Sequence, residues 1–402
     1  MDDVSVSGVG QRVTEERKFT GWTQVKLARA TNVPVSLVSA VEQGQVPASP
    51  SFVSTCARVL GVGVTELLGQ PYPCRNRYEH EVHTSVQAIR SELAVSRLEP
   101  FDEVPWRSLD ELARNVAEVS TLRHSANLHE LGAHLPGLLA ELRAVVQTLV
   151  GIERERAFGL LAETFAAAWQ LTCGLGYTDL ASLAIERYEW AAAQSGDELA
   201  VCVGDYYRAG VLIETADWNY ALSLLEKSRQ RIELGIGKAD PVVLSMWGNL
   251  HLKSGLAAAR AGNRDLADAH LGEARKSAER VGVDRDDYRL CFGPTNVNIW
   301  SVALAVEMLD GIEAVKRAEN FIIPATAQRE RAGFHFIDLT RGHLLHGNKE
   351  KAFGALRHAR KIAPVQTRYH PMVHETIRII ARQEPRTSDT VREFASWCGI
   401  RD

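Results

Sequence analysis

The chain has 402 residues, 45% hydrophobic and 24% charged, which is more than one ordinary core organises and predicts two or more structural units. Its formal net charge of −4 excludes a strongly basic, sequence-blind nucleic-acid coat, and no apolar run of about 18 residues exists to span a membrane. The acidic opening MDDVSVSG lacks the apolar core of a signal peptide, and six cysteines lie scattered without a CxxC pair, as expected of buried thiols in a reducing cytoplasm.

Residues 9–69 read as five short helices separated by turn signals. The informative stretch is WTQVKLARATNVPVSLVSAVEQG, residues 22–44. Thr23 is a helix N-cap, with Val25, Leu27 and Ala28 on the inner side of the helix it opens. Asn32 supplies a left-handed turn residue. Pro34 suits the first turn of a second helix whose Leu37, Val38 and Val41 face inward. Two short helices joined this way form a DNA-reading unit, the second entering the major groove. Acidic and basic side chains balance over the first 70 residues, so this expectation rests on pattern and not on charge.

Thr23-Gln24, Leu27-Ala28, Val33, Ser36, Val38-Ser39, Val41-Glu42 and Gly44, followed by Pro47, Ala57, Leu60-Gly61 and Leu67-Leu68, resemble the Xre/Cro family of phage-repressor-like regulators over about residues 9–69. The resemblance implies that Gln24 bonds a phosphate and that Arg17 pairs with Glu42. It also implies base contacts from Val35, Ser36, Ser39 and Ala40, so the DNA-binding set is Thr23, Gln24, Val35, Ser36, Ser39, Ala40 and Gln43. The four base-facing positions carry no Arg, Gln or Asn for bidentate readout, so specificity leans on DNA shape, flanking residues or two half-sites.

A helical connector is expected over 73–105, with Pro73, a helical run from Tyr78 to Leu98, then Pro100 and Pro105. Beyond it, residues 106–402 show helical periodicity throughout, with short breaks. Five segments open with a turn and place an alanine early in an amphipathic helix: Ala181, Ala221, Ala267, Ala314 and Ala352, spaced 40, 46, 47 and 38 residues apart. Four have Asp or Asn four residues before the alanine, at the N-cap. Twelve residues earlier stand Ala209, Gly255 and Thr340 in three repeats, while Trp169 and Val302 break the small-residue rule. This pattern, best kept in NKEKAFGALRHARKIAP (Ala352, Leu356, Ala359, Pro364), resembles elongated tetratricopeptide repeats. The fold class that follows is all-α, a five-helix phage-repressor-like domain over 1–72 ahead of a right-handed tetratricopeptide-like α-solenoid.

In that repeat family the first helix of each pair lines a concave groove. Counting back from the alanines points Gln170, Tyr206, Asn249, Asn296 and Arg341 inward, with Glu214, Arg260 and Glu307 deeper. Asn249 and Asn296 share a register position suited to clamping a peptide backbone. Within CFGPTNVNIW, the rigid Gly293-Pro294 break presents Asn296 and Trp300, with Thr295 as a candidate cap. The effector set is Gln170, Tyr206, Asn249, Asn296, Trp300 and Arg341. His370 and His374 stand four apart without a third ligand, so no metal is expected. No GxGxxG, Walker, GxSxG or HExxH motif is present, so neither catalysis nor a cofactor is expected. The run LHELGAHLPGLLAELRAVVQTLV offers an apolar face for a homodimer.

The whole layout resembles cytoplasmic bacterial regulators that sense signalling peptides in quorum sensing, and a group of actinobacterial regulators with degenerate repeats. It implies a homodimer on a double-stranded DNA operator, tuned by a peptide or small-molecule effector. The competing expectation is an adaptor that holds a partner protein on its repeats, with a vestigial head.

Overall fold

The computed structural model describes residues 8–72, 77–98, 105–237, 239–383 and 389–400; Pro73, Cys74 and Pro100 lie outside them. Every regular element among the described residues is helical, apart from one isolated antiparallel bridge between Arg285 and Phe292.

The head is built from α1 (Val9–Phe19), α2 (Gln24–Thr31), α3 (Val35–Glu42), α4 (Pro50–Leu60) and α5 (Val64–Leu68). Val13, Leu27, Val38, Cys56 and Leu67 fill its core with almost no exposure. The turn chemistry is as expected. The Thr23 side chain accepts from the Lys26 N–H at 3.2 Å, and Asn32 ends α2 in the left-handed region at φ 55°. Pro34 stands just before α3 rather than inside it, where its missing N–H costs nothing. Val25 corrects the expectation of an inner position: it lies on the outer side of α2 and is 54% exposed.

The body begins with α6 (Arg77–Val95) and continues as six helix pairs. These are α7 (Leu109–His124) with α8 (Leu128–Thr148), α9 (Gly151–Gly174) with α10 (Thr178–Gln194), and α11 (Glu198–Glu214) with α12 (Trp218–Ile236). Then follow α13 (Pro241–Arg260) with α14 (Arg264–Val281), α15 (Pro294–Glu307) with α16 (Gly311–Glu319), and α17 (Arg329–Leu345) with α18 (Lys349–Ile362). Short helices α19 (Pro364–Tyr369), α20 (Pro371–Gln383) and α21 (Asp389–Cys398) complete it.

Each repeat alanine occupies the fourth residue of a second helix, and all five are buried. The small side chain lets paired helices approach, so that a Cβ built on Gly255 would lie 3.5 Å from the Ala267 carbonyl oxygen. Asn263, Asp310 and Asn348 cap their helices by accepting from the N–H three residues on. Asp217 holds the same position but takes Thr215 Oγ1 and Arg58 instead.

Two expectations about the connecting region are corrected by packing. On α6, Val86, Ile89 and Leu93 share one core with the repeats, so this helix belongs to the body rather than bridging to it. The same core takes Leu131, Leu135 and Leu142 of α8, so the apolar face read as a dimer surface is covered within the chain.

The first helices of the pairs form an inner layer that closes on itself. Trp169 and Tyr207 meet across α9 and α11 with ring centroids 4.5 Å apart and planes tilted by 41°, and α17 comes back to α7, where Glu330 lies 3.5 Å from His124 Nδ1. Closure is reinforced by Tyr72 stacked on His374 at 3.9 Å and by His83 edge-on to Tyr369 at 5.7 Å. The segment 283–293 between α14 and α15 folds across the ring. Tyr288 donates to Asp197 at 2.6 Å, Arg289 pairs with Glu163 at 2.8 Å, and the Arg289 carbonyl accepts from Arg123 at 2.7 Å. Gly293 ends the segment at φ 149°, where a Cβ would lie 2.5 Å from Asp284 Oδ1, so only glycine fits. Asp284 Oδ1 also takes the Thr295 N–H at 3.0 Å, the capping role expected of Thr295 itself.

The head is held at two places on this ring. Arg58 of α4 donates to the Ala216 carbonyl at 2.8 Å and pairs with Asp217 at 3.0 Å, at the α11–α12 turn. On another side, α20 places Met372 in the head core, Glu375 Oε1 at 3.3 Å from the Val9 N–H, and the Arg382 guanidinium against Gly44.

Candidate functional site

In the head, Arg17 and Glu42 form the pair the sequence pattern implied, through two hydrogen bonds of 2.6 and 2.8 Å, both side chains nearly buried. Burial alone would raise the Glu42 carboxyl, yet the hydrogen bonds from Arg17 and Gln24 hold it below the usual carboxylate range. Gln24 is half-buried, and its Nε2 donates to Glu42 at 2.8 Å, which ties α2 to the end of α3.

The remaining head positions lie together on one face. Thr23, Val35, Ser36 and Gln43 are exposed, and Ser39 and Ala40 are half-buried beside them. Gln43 donates to the Ser39 hydroxyl at 3.1 Å and accepts from Gln45 at 2.6 Å, which makes a short polar rail at the end of α3. Lys26 and Arg29 on α2 are exposed cations near this face, Lys26 seated 4.4 Å from the Trp22 ring centroid. Counting charges had balanced them away; only their placement separates them from Glu42, which is internally paired.

Inside the body, the inner layer gathers the other expected set, with different roles for its members. Tyr206 of α11 and Trp300 of α15 are brought together through Lys253 of α13, whose Nζ lies 4.1 and 5.8 Å from the two ring centroids. Arg331 of α17 stands over the same Trp300 ring at 5.5 Å. Asn296 is not the free backbone clamp expected of it: its Nδ2 donates to the Cys291 carbonyl at 2.6 Å and its Oδ1 accepts from Arg331 at 2.9 Å. Asn249 differs from its register mate. It is 2% exposed, and its Oδ1 has no partner among the described residues, as is true of Gln170 Oε1.

The charge of Arg341 is engaged within the fold. Glu307 stands between Arg260 at 2.9 Å and Arg341 at 2.7 Å, and Asp338 reaches Arg341 at 3.2 Å. Burial opposes ionisation of Glu307, but the two guanidiniums overcome it and hold the carboxyl at about 2. Burial, helped by the negative charge of Glu307, pushes Asp338 up to about 6 against the pull of Arg341. The two histidines four residues apart do not face one site. His370 Nδ1 accepts from the Met372 N–H at 3.2 Å, and His374 Nε2 lies 2.7 Å from the Arg368 carbonyl.

His124, Asp286 and Cys291 do converge, with His124 Nε2 3.2 Å and Cys291 Sγ 3.3 Å from Asp286. No sequence spacing foretold the cluster, since the 283–293 segment brings two of its members across the ring. Arg289 at 3.7 Å from Asp286 and the adjacent Arg123 supply positive charge already, so its chemistry is an internal ion cluster.

The comparisons with known proteins add the following. No curated protein matches the chain. Bacillus thuringiensis PlcR, solved in complex with the peptide PapR7 and DNA, is similar at 14% identity over 68% of this chain and 95% of its own, with a TM-score of 0.29. ComR from S. thermophilus, solved with DNA and its signalling peptide ComS, is similar at 14% identity over 68% of this chain and 94% of its own, with a TM-score of 0.22. No helix among the described residues is long and apolar enough to cross a membrane. The family described as a helix-turn-helix domain matches residues 9–68, so α1–α5 make a helix-turn-helix domain.

Proposed function

We propose that the chain is a sequence-specific DNA-binding transcriptional regulator that acts as a homodimer, with an effector bound in the helical ring modulating the hold of the head on DNA. In domain terms the head is 1–72 and the sensor and dimerisation region is 106–402, with α6 of the intervening 73–105 packed into the core of the latter. The observation that carries this reading is the division of surfaces on the helix-turn-helix head. Arg58 and the α1 end are held by the body, while the outer side of α3 with Ser36 and Gln43 stays uncovered. Because the head rests on the α11–α12 turn and on α20 at once, a ligand that favours one ring geometry also favours one head position.

Short side chains on α3 limit readout by a single head, and two heads on two half-sites restore affinity and specificity. Binding is tested on DNA from upstream of the chain's own gene, with half-sites expected about one helical turn (roughly 10 bp) apart. Ser36→Asp sets a carboxylate against the DNA without touching the head core and is expected to abolish the footprint. An intact Ser36→Asp protein with undiminished binding refutes the assignment of this face.

One observation favours a second reading: α3, VSLVSAVE, carries no cation or long donor. An adaptor with a vestigial head would show no sequence-preferring, salt-dependent DNA binding at all.

A further inference from the structure

We propose that the ring binds an organic acid, a carboxylate carried on an aromatic or apolar group with an adjacent amide, between Lys253, Arg331, Tyr206 and Trp300. The inference rests on the reading of the body as an effector domain and names the chemical class of the effector.

The charge arrangement of the inner layer is uneven. Arg260 and Arg341 are neutralised by Glu307 and Asp338. Lys253 and Arg331, by contrast, have no ion-pair partner within 4 Å among the described residues. Both are half-buried, and burial pulls the Lys253 ammonium down to about 8 even with the Glu214 carboxylate in reach. Two cations held in a partly dry ring with no carboxylate in contact attract an anion more strongly than exposed ones do.

Their positions are fixed. Asn296 Oδ1 anchors the Arg331 Nε and leaves its other guanidinium nitrogens to bond elsewhere, and the Tyr206 ring lies beside the ammonium. Trp300, 7% exposed, lies within 6 Å of both cations and offers the flat apolar wall. The amide requirement comes from two other atoms. Asn249, one turn before Lys253, and Gln170 on α9 each hold an amide oxygen without a donor, and a ligand N–H would satisfy such an acceptor.

Lys253 faces Tyr206 and Glu214 of α11, Cys173 of α9, Arg331 of α17 and Arg260 of its own helix. Among these the nearby guanidiniums and burial favour the neutral amine and Glu214 favours the ammonium. Anion binding is therefore expected to weaken as pH rises above about 8.

The test uses the full chain and hippurate, which combines a carboxylate, an amide N–H and a phenyl ring, against the neutral hippuramide. A probe of this size binds with a Kd on the order of 1 mM, followed by calorimetry and by tryptophan emission. Saturable hippurate binding at least about tenfold tighter than hippuramide is expected. It is lost in Lys253→Met and in Arg331→Met, largely kept in Lys253→Arg, and unchanged in Lys276→Met on the exposed side of α14. Equal binding of the two probes, no saturable hippurate binding, or survival of binding in both Met variants with wild-type melting overturns the proposal. The regulator reading is measured separately by the DNA footprint with and without hippurate. Hippurate binding without any footprint supports the acid site and removes the regulator.

Discussion

Glu42→Ala removes the carboxylate on which Arg17 and Gln24 converge, and the cost follows from the geometry. Arg17 is 8% exposed and donates twice to Glu42 and once to the Trp22 carbonyl at 2.7 Å, so the variant strands a buried guanidinium. Breaking such a pair costs about 3–5 kcal/mol. A unit the size of the head has roughly 3–9 kcal/mol of stability in total. The variant therefore opens the head while the ring, with its separate core, stays folded. Hydrogen exchange on the full chain, read by mass spectrometry, resolves the two regions. Protection in α1–α5 is expected to fall by a factor of about 150 to 5,000, with α9–α18 changed little. Arg17→Met combined with Glu42→Leu replaces the pair by apolar groups and is expected to regain most of that protection, because the lost attraction and the avoided desolvation nearly cancel. A loss below about tenfold in Glu42→Ala, or a double variant no better than the single one, refutes the assignment of a stranded charge.

Other consequences are equally specific. Burial pulls His124 down, but Asp286 and Glu330 outweigh it and raise its pKa above 6.5. A raised histidine stabilises the fold fully below its unfolded pKa and loses that contribution as pH rises through the folded value. The thermal stability of wild type should thus exceed that of His124→Gln in mild acid and converge with it as pH climbs from about 6.5; a constant difference would contradict the ion cluster. Gly248→Ala places a Cβ 1.9 Å from the Phe292 ring, which is 1% exposed, so the aromatic ring must shift. A destabilisation of about 1–3 kcal/mol in denaturant unfolding is expected, relieved by adding Phe292→Leu. Burial pushes the Cys56 thiol up to about 12 in the head core. Iodoacetamide at neutral pH should leave it unmodified in wild type and label it in Glu42→Ala, which couples this readout to the first prediction.

What could be read from the sequence was local. Thr23 as a cap, Asn32 in the left-handed region and the repeat alanines at the fourth helical position follow from interactions within a few residues, which propensity and spacing encode. The Arg17–Glu42 pair was legible only through family resemblance. What escaped was the destination of side chains across the ring. The repeat register puts Asn296 and Arg341 on first helices of their pairs, but partners such as Arg331 and Glu307 are supplied by other helices. Lys253 passed unnoticed for the same reason, since one lysine gains meaning only when Tyr206 and Trp300 meet it. The apolar length of α8 was visible, but whether a second chain or α6 covers it is a tertiary fact.

The contact of α17 with α7 has a further consequence for how such a molecule can change over generations. An open array of repeats gains or loses a unit at little cost, because each unit touches only its neighbours. Here Glu330 must meet His124, and the segment carrying Arg289 must reach Glu163, so deleting one pair would misalign both meetings at once. Repeat number is therefore frozen by circumference. Variation is channelled into side chains along the inner wall, where recognition can drift while the count of helix pairs stays at six.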